Sequence, residues 1–379
     1  HVFARFLSFA FYAAPNAKIA FSHGIKNLLA ELDEYQPSVL LGVPRVFEKV
    51  YNASSQKASK GAAKLVFKNA AKAAVAYSKA LETPEGPSMK QKAARNAFVI
   101  PVYSKIRAAL GGNIKYCVCG AAPLNTEINH FFRGAGITIL EGYGLTETVA
   151  PVFVNRPTFN KVGTIGVPFP DVKLRISDDD ELLLKSPSNM SGYHNLPSEN
   201  KSALHNGWFH TGDLASVDED GFVKIIGRKK DIIITAGGKN VTPSVLEKCI
   251  DENIIVQASL VVGDGRPFIS ALVALDVDEL KGWAKKQDIL QQITDQNGKI
   301  LLEIAKDHPI IRAEIDRSVT EANKLVSQAE SIRKYEILPE DFSEQNETYT
   351  PSMKVRRPQV IERYADIIKN EIYGKPRGK

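Results

Sequence analysis

Cysteine is scarce, with three residues in 379. Three cannot build a disulfide framework, so a reducing compartment is the default expectation. Cys117 and Cys119 fall in a strand-like run. They are expected to be small core residues, on opposite faces, rather than metal ligands. No run of roughly 18 apolar residues occurs, which excludes a transmembrane helix. The apolar start, 1–14, has no basic leader, so no secretory signal is expected there. Charge of one sign is not in large excess either: 49 Lys and Arg against 43 Asp and Glu leave +6. So small an imbalance suits anionic small molecules without implying a nucleic-acid partner. With 44% hydrophobic and 24% charged residues the composition is that of an ordinary globular protein, long enough for two or three domains.

Hydrophobic patterning divides the chain. Residues 17–32 read as a strand followed by a helix, and 39–43 as a short buried strand ending at Pro44. An Ala-rich helix is expected over 54–81. Lys57, Lys60, Lys64, Lys68 and Lys72 share one face of it, and Ala62, Val66, Ala70, Ala73 and Tyr77 the other. A basic amphipathic helix can lie on an anionic bilayer. An Ala face is a weak anchor, so a solvated face on a packed helix is the competing reading. A second helix is expected over 89–110. Strands at 113–119 and 137–140 suggest a parallel sheet. Residues 161–222 are rich in Gly, Pro and short β runs, as in a small β-rich subdomain. From 242 to 274 the pattern is helix, strand, turn, strand. Residues 276–334 read as helical, as does 358–369.

Chemistry concentrates in a few stretches. Gly120, Ala121 and Ala122 follow a strand and let a flat ring or carbonyl approach the backbone. Glu141-Gly-Tyr-Gly-Leu-Thr-Glu-Thr148 stands at the carboxyl end of the next strand, where open α/β sheets bind ligands. There Tyr143 offers a face to a purine, Thr146 a hydroxyl to phosphate, and Glu147 a hard oxygen to Mg²⁺. A helix cap made by Thr146 and Glu147 is the structural alternative. Residues 227–243 combine three cations, Arg228, Lys229 and Lys230, with a β-branched run and the Gly237-Gly238 pair.

Taken with Trp208-Phe-His-Thr-Gly-Asp213 and Thr350-Pro-Ser-Met-Lys-Val-Arg356, these stretches resemble, in order and spacing, the AMP-forming acyl/aryl-CoA synthetases. The resemblance runs over essentially the whole chain. The stretch Leu41-Gly-Val-Pro-Arg-Val-Phe-Glu-Lys-Val-Tyr51 is similar to the long-chain fatty-acid branch. The resemblance implies that Gly120–Ala122 line the adenine and acyl sites and that Tyr143, Thr146 and Glu147 serve ATP and Mg²⁺. It implies that Asp213 accepts the ribose hydroxyls with Arg228 beside it, and that Lys230 is a hinge. It implies too that Gly237 faces the CoA arm and that Lys354 is the adenylation lysine. Ile234 stands where many relatives carry lysine, and Arg5 near the place of an aromatic gate in some.

The expected fold is therefore α/β. A large α/β domain with a β-rich subdomain spans 1–226, 227–230 form a hinge, and 231–379 make a smaller, mobile α+β C-terminal domain. The resemblance also implies a Ser/Thr/Gly-rich phosphate loop upstream of the segment matching His1 to Arg5. The chain is accordingly expected to be the C-terminal part of a longer enzyme, the large domain truncated and inactive alone. The expected partners are fatty acid, ATP and CoA, in the cytoplasm, with peripheral contact to an anionic membrane as an alternative. Two other functions stay open: an adenylate-forming ligase that loads a carrier-protein thiol, and a non-catalytic nucleotide-binding module.

Overall fold

The computed structural model describes residues 5, 16–24, 27–58, 61–350 and 354–374. Two compact units emerge, one of His1–Thr211 with Ala215–Ile225, the other of Gly212–Leu214 with Ile226–Lys379. Of the apolar start only Arg5 is described, and it is exposed.

In the first unit β1 (Val39–Gly42), β2 (Tyr116–Cys119) and β3 (Thr138–Leu145) lie side by side and parallel, as expected. Their short apolar runs suit burial on both faces. Cys117 and Cys119 are both almost fully buried. Residues two apart in a strand point the same way, so the expectation of opposite faces mistook the strand period. β3 extends further than expected: Gly142 to Leu145 pair antiparallel with β4 (Ala150–Val154), which pairs with β5 (Val167–Pro168). Residue 141 onward is therefore strand before it is loop.

The helix expected over 54–81 is two helices, Pro44–Lys57 and Gly61–Ala80. Gly61, the first residue of the second, stands at φ +54°, a left-handed conformation that a continuous helix does not accommodate. The buried stripe is Phe67, Ala70, Ala74 and Ser78. The expected apolar face was rotated: Ala62 and Val66 are exposed. Phe67 takes the contact instead, its ring 5.9 Å from Phe131 and 5.8 Å from Tyr51. Lys57, Lys64, Lys68 and Lys72 are exposed, and Lys60 lies outside the described residues. The helix is docked by Thr126–Gly134. A Cβ on Gly134 would come 2.1 Å from the Ala74 carbonyl oxygen, so only glycine permits this approach. Ser78 Oγ meets His130 Nδ1 at 3.0 Å in the same buried contact.

The helix expected over 89–110 is also broken, into Met89–Asn96, a π-helical turn Val99–Tyr103, and Ser104–Ala109. Pro101 lacks the N–H that an uninterrupted helix needs. No strand occurs among the described residues of 17–27; the first helix is Leu28–Tyr35. The β-rich part comprises β6 (Lys173–Ile176), β7 (Glu181–Lys185), β8 (Leu204–His205), β9 (Trp208–Val217) and β10 (Val223–Arg228). Its sheet runs β10-β9-β7-β6, with β8 on β9.

The second unit begins its own structure with the hairpin β11 (Ile233–Ile234) and β12 (Asn240–Val241). Its main sheet has the order β13 (Val256–Val262), β14 (Ile269–Leu275), β15 (Ile332–Ile337), antiparallel then parallel. β14 is buried at every position because both faces are covered. Ala271 and Val273 pack with Leu246 and Ile315, whereas Leu272 and Ala274 pack with Phe342 and Val360. The stretch 276–334 is less helical than expected, since its end enters β15, the third strand of this sheet. The last expected helix divides into Arg357–Arg363 and a π-helical turn, Ile367–Ile372.

Candidate active site

The expected site residues fall into two groups, one in each unit. In the first unit, Gly120, Ala121 and Ala122 leave the carboxyl end of β2, beside β3. Ala121 takes φ +73°, unusual for a residue with a Cβ. Glu141, which sequence reasoning gave no role, ties this loop to the motif. It is buried and accepts from the Leu124 N–H at 3.2 Å and from Asn129 Nδ2 at 2.8 Å. Tyr143, two residues on, sets its ring edge-on to Phe153 at 6.0 Å. Thr146 and Glu147 open a 3₁₀ turn, Thr146–Thr148. The turn is held by Thr148, whose buried hydroxyl accepts from the Leu145 N–H at 2.9 Å and donates to the Leu145 carbonyl at 3.1 Å. The cap thus belongs to Thr148, leaving Thr146 exposed. Glu147 accepts a hydrogen bond from the Tyr193 hydroxyl at 2.9 Å, and its carbonyl accepts from the Met190 N–H at 2.7 Å. Nothing in the sequence around Tyr193 signals that partnership.

In the second unit, Arg228 Nε donates to Asp213 Oδ1 at 2.7 Å. Asp213 is buried and its partner is partly exposed. Lys354 joins this pair electrostatically. Protein crowding around its ammonium, though much of the residue is exposed, lowers its pKa from the ordinary lysine value. The like charge of Arg228 lowers it further, and Asp213 opposes. The lysine sits in a hairpin whose base is closed by a bridge between Tyr349 and Val355 and by Thr350 N–H donating to the Lys354 carbonyl at 2.9 Å. Residues 351–353 lie outside the described residues. The structure thus pairs Asp213 with Arg228 directly, and Lys354, in the same unit, feels the charge of both.

Lys230 is exposed in a 3₁₀ turn, Lys229–Asp231, and Gly237 is exposed in the β11–β12 turn. A Cβ on Gly237 would meet only Thr235 Oγ1, at 3.9 Å. A side chain there disturbs nothing local, so the fold alone does not call for glycine. Among the described residues no cluster of three or more His, Cys, Asp or Glu could hold a metal. Among the described residues, too, no helix is long and apolar enough to cross a membrane. A cavity of about 220 Å³ on the β6–β9 face, lined by Arg175, His205, Trp208 and His210, shares none of the residues above.

Comparison with known proteins gives these residues their context. Residues 1–194 match the AMP-binding enzyme family, and residues 230–376 match the AMP-binding enzyme C-terminal domain. The chain is 45% identical over 375 residues to the long-chain-fatty-acid–CoA ligase FadD15 of Mycobacterium bovis, covering 99% of this chain and 61% of that one. Among solved structures, it is similar to the adenylation domain of a carboxylate reductase from Mycobacterium chelonae. The TM-score is 0.64 at 20% identity, over 93% of this chain and 49% of that one. It is similar also to the Bacillus subtilis O-succinylbenzoate–CoA synthetase in complex with ATP and magnesium. There the TM-score is 0.52 at 18% identity, over 89% of this chain and 54% of that one. These two show the fold.

Proposed function

Because the chain belongs to the AMP-binding enzyme family, we propose that the protein activates a long-chain fatty acid in two steps, through acyl-AMP to acyl-CoA. In the first step a carboxylate oxygen attacks the α-phosphorus of ATP, and the bond to the departing pyrophosphate breaks. In the second the CoA thiol, giving up its proton, attacks the acyl carbon, and AMP leaves. A carboxylate is a poor acyl donor until its oxygen becomes a good leaving group, which the mixed anhydride supplies.

One observation carries this reading. Asp213, a carboxylate suited to a ribose diol, is buried and bonded to Arg228 at 2.7 Å, and Lys354, whose ammonium feels the charge of both, would supply the cation for the developing charge. Tyr143 would stack on the adenine, Gly120, Ala121 and Ala122 would border it, and Thr146 would bind phosphate. Glu147, its carboxylate steadied by Tyr193, suits Mg²⁺, which takes one or two protein carboxylates beside phosphate oxygens. Bound there, the ion would neutralise phosphate charge. Gly237 would border the CoA arm. The domain reading goes with this: Lys230, in the 227–230 segment, is a backbone hinge that lets a C-terminal domain, 231–379, present Lys354 and then Gly237.

The chain spans about three fifths of the length of the mycobacterial relative. That relative's description supports long-chain fatty acids as the substrate over a carrier-protein thiol ligase or a silent nucleotide binder. The lysines of helix Gly61–Ala80 also suit peripheral contact with an anionic membrane from the cytoplasm. Lys64, Lys68 and Lys72 are exposed there beside Leu65, itself 60% exposed.

The test is direct. The full-length protein, given ATP, CoA and fatty acids of graded length, should release AMP and pyrophosphate with acyl-CoA, best with long chains. Acylation of a carrier protein in preference to free CoA, or nucleotide binding without turnover, would replace this function with one of the alternatives.

A further inference from the structure

A lysine that serves one step of two has to be placed accurately and carried as part of a rigid body. The base of the Lys354 hairpin is held by Tyr349, buried against Phe342 with its hydroxyl donating to the Gln257 carbonyl at 3.5 Å, while the bonds nearer the lysine are local: Lys354 N–H to Thr350 Oγ1 at 3.1 Å and Arg356 N–H to the Thr348 carbonyl at 2.8 Å. What anchors it follows at once in sequence. Arg357 opens the helix Arg357–Arg363 and turns its guanidinium back into the unit. Its Nη2 donates to both carboxylate oxygens of Glu247, at 2.6 and 2.8 Å, and its Nη1 to the Val261 carbonyl at 2.9 Å. Its Nε lies 3.9 Å from Asp231 Oδ1. Glu247 also accepts from the Val261 N–H at 2.7 Å.

Three segments therefore meet on one guanidinium. The first is the turn Lys229–Asp231, directly after Arg228. The second is the helix Pro243–Asp251, which carries Glu247 and whose Ser244 Oγ holds the Ile226 carbonyl at 2.8 Å. The third is β13, whose Val261 carbonyl accepts from Nη1; Arg357 itself follows directly on the hairpin bearing Lys354. Both charged side chains are largely buried, at 21% and 13% exposure for Arg357 and Glu247. Burial raises the Glu247 pKa, and Arg357 with the Val261 N–H opposes that rise. A lysine in place of Arg357 would have no planar fork with which to reach the carboxylate and the carbonyl together.

We propose that Arg357 is a positioning residue for the adenylation step: through Glu247 and the Val261 carbonyl, with Asp231 at 3.9 Å, it fixes the end of the Lys354 hairpin to the body of the C-terminal unit. The inference rests on the two-step reading above. Arg357, Glu247, Asp231 and Lys354 belong to the same unit, and the bonds of Arg357 go to Glu247 and Val261 rather than to the turn of Gly237, so the thioester step should be spared.

The experiment compares Arg357→Lys, Glu247→Gln and Lys354→Ala in the full-length protein. It reads pyrophosphate exchange for step one, thioester release from supplied acyl-AMP for step two, and Tm. Misplacing a reacting group by about 1 Å can cost 10²-fold in rate. Arg357→Lys should therefore lower kcat of step one by about 10- to 100-fold, with the KM for ATP and the rate of step two each within about twofold. A merely structural residue would depress both steps together with Tm. An unchanged step one, or equal losses in both steps, overturns the clamp. If Arg357→Lys does not fold, Glu247→Gln is read by the same criteria; if neither folds, the pair is structural and the proposal fails. Lys354→Ala separates the two claims. Loss of step one there but not in Arg357→Lys removes the clamp alone. Retention of step one in Lys354→Ala removes the adenylation reading and the clamp with it.

Discussion

The charge on Lys354 depends on neighbours brought from two other motifs. In the proposed mechanism it acts as a cation in step one, so the rate of that step should fall as pH rises through its pKa. Crowding and Arg228 lower that pKa and Asp213 raises it, with a net lowering. The fall should therefore begin below the ordinary lysine value of about 10.4. Asp213→Asn removes the one opposing charge and should move the midpoint lower still. Pyrophosphate exchange as kcat/KM for ATP against pH reports the free protein and measures both, and a midpoint unmoved by Asp213→Asn would contradict the coupling. These residues were legible because each stands inside a recognisable motif. Tyr193 and Glu141 were not: Tyr193 finds Glu147 at a separation of 46 residues, and Glu141 finds Leu124 and Asn129 across a loop and a helix. Such pairings have no local sequence signal.

Elements were legible where one strong period governed them. The parallel run β1-β2-β3 and the pattern from Pro243–Asp251 through β14 follow from apolar periodicity. The misses come from single residues that override a pattern: Gly61 and Pro101, each breaking a periodic helix. In Gly61–Ala80 the helical period was right and the face was partly displaced: Ala70 is buried as expected and Ala73 and Tyr77 are half-buried, but Ala62 and Val66 are exposed, because one phenylalanine outweighs several alanines in buried area. The exposed face still keeps Lys64, Lys68 and Lys72 together. If that face meets lipid, the protein should bind vesicles containing anionic lipid at low salt and leave them as salt rises. Each lysine near such a surface contributes about 1 kcal/mol, screened over about 10 Å at 0.1 M salt. Replacing the three by Gln should abolish this binding. Salt-insensitive binding, or none, would return the face to water.

For the whole molecule, the two-unit division puts the sheet ends with Tyr143, Thr146 and Glu147 in one body, and Asp213, Arg228, Gly237 and Lys354 in the other. Both sets come from the sequence motifs, and their roles are those proposed above. That Asp213 is grouped with residues beyond 226 was not anticipated, since chain order alone puts it in the earlier domain. The central claim is that one C-terminal body serves two steps with different residues. The most direct test is to measure both steps in Lys354→Ala, Gly237→Leu and Lys230→Pro versions of the full-length protein. Lys354→Ala should lose about 10²- to 10³-fold in pyrophosphate exchange, by analogy with removing one transition-state donor. It should keep thioester formation from supplied acyl-AMP. Gly237→Leu should keep the exchange and lose the thioester step, since its side chain meets no local obstacle yet would block an approaching arm. Lys230→Pro should retain at most the exchange. Equal damage to both steps in Lys354→Ala and Gly237→Leu would contradict the account.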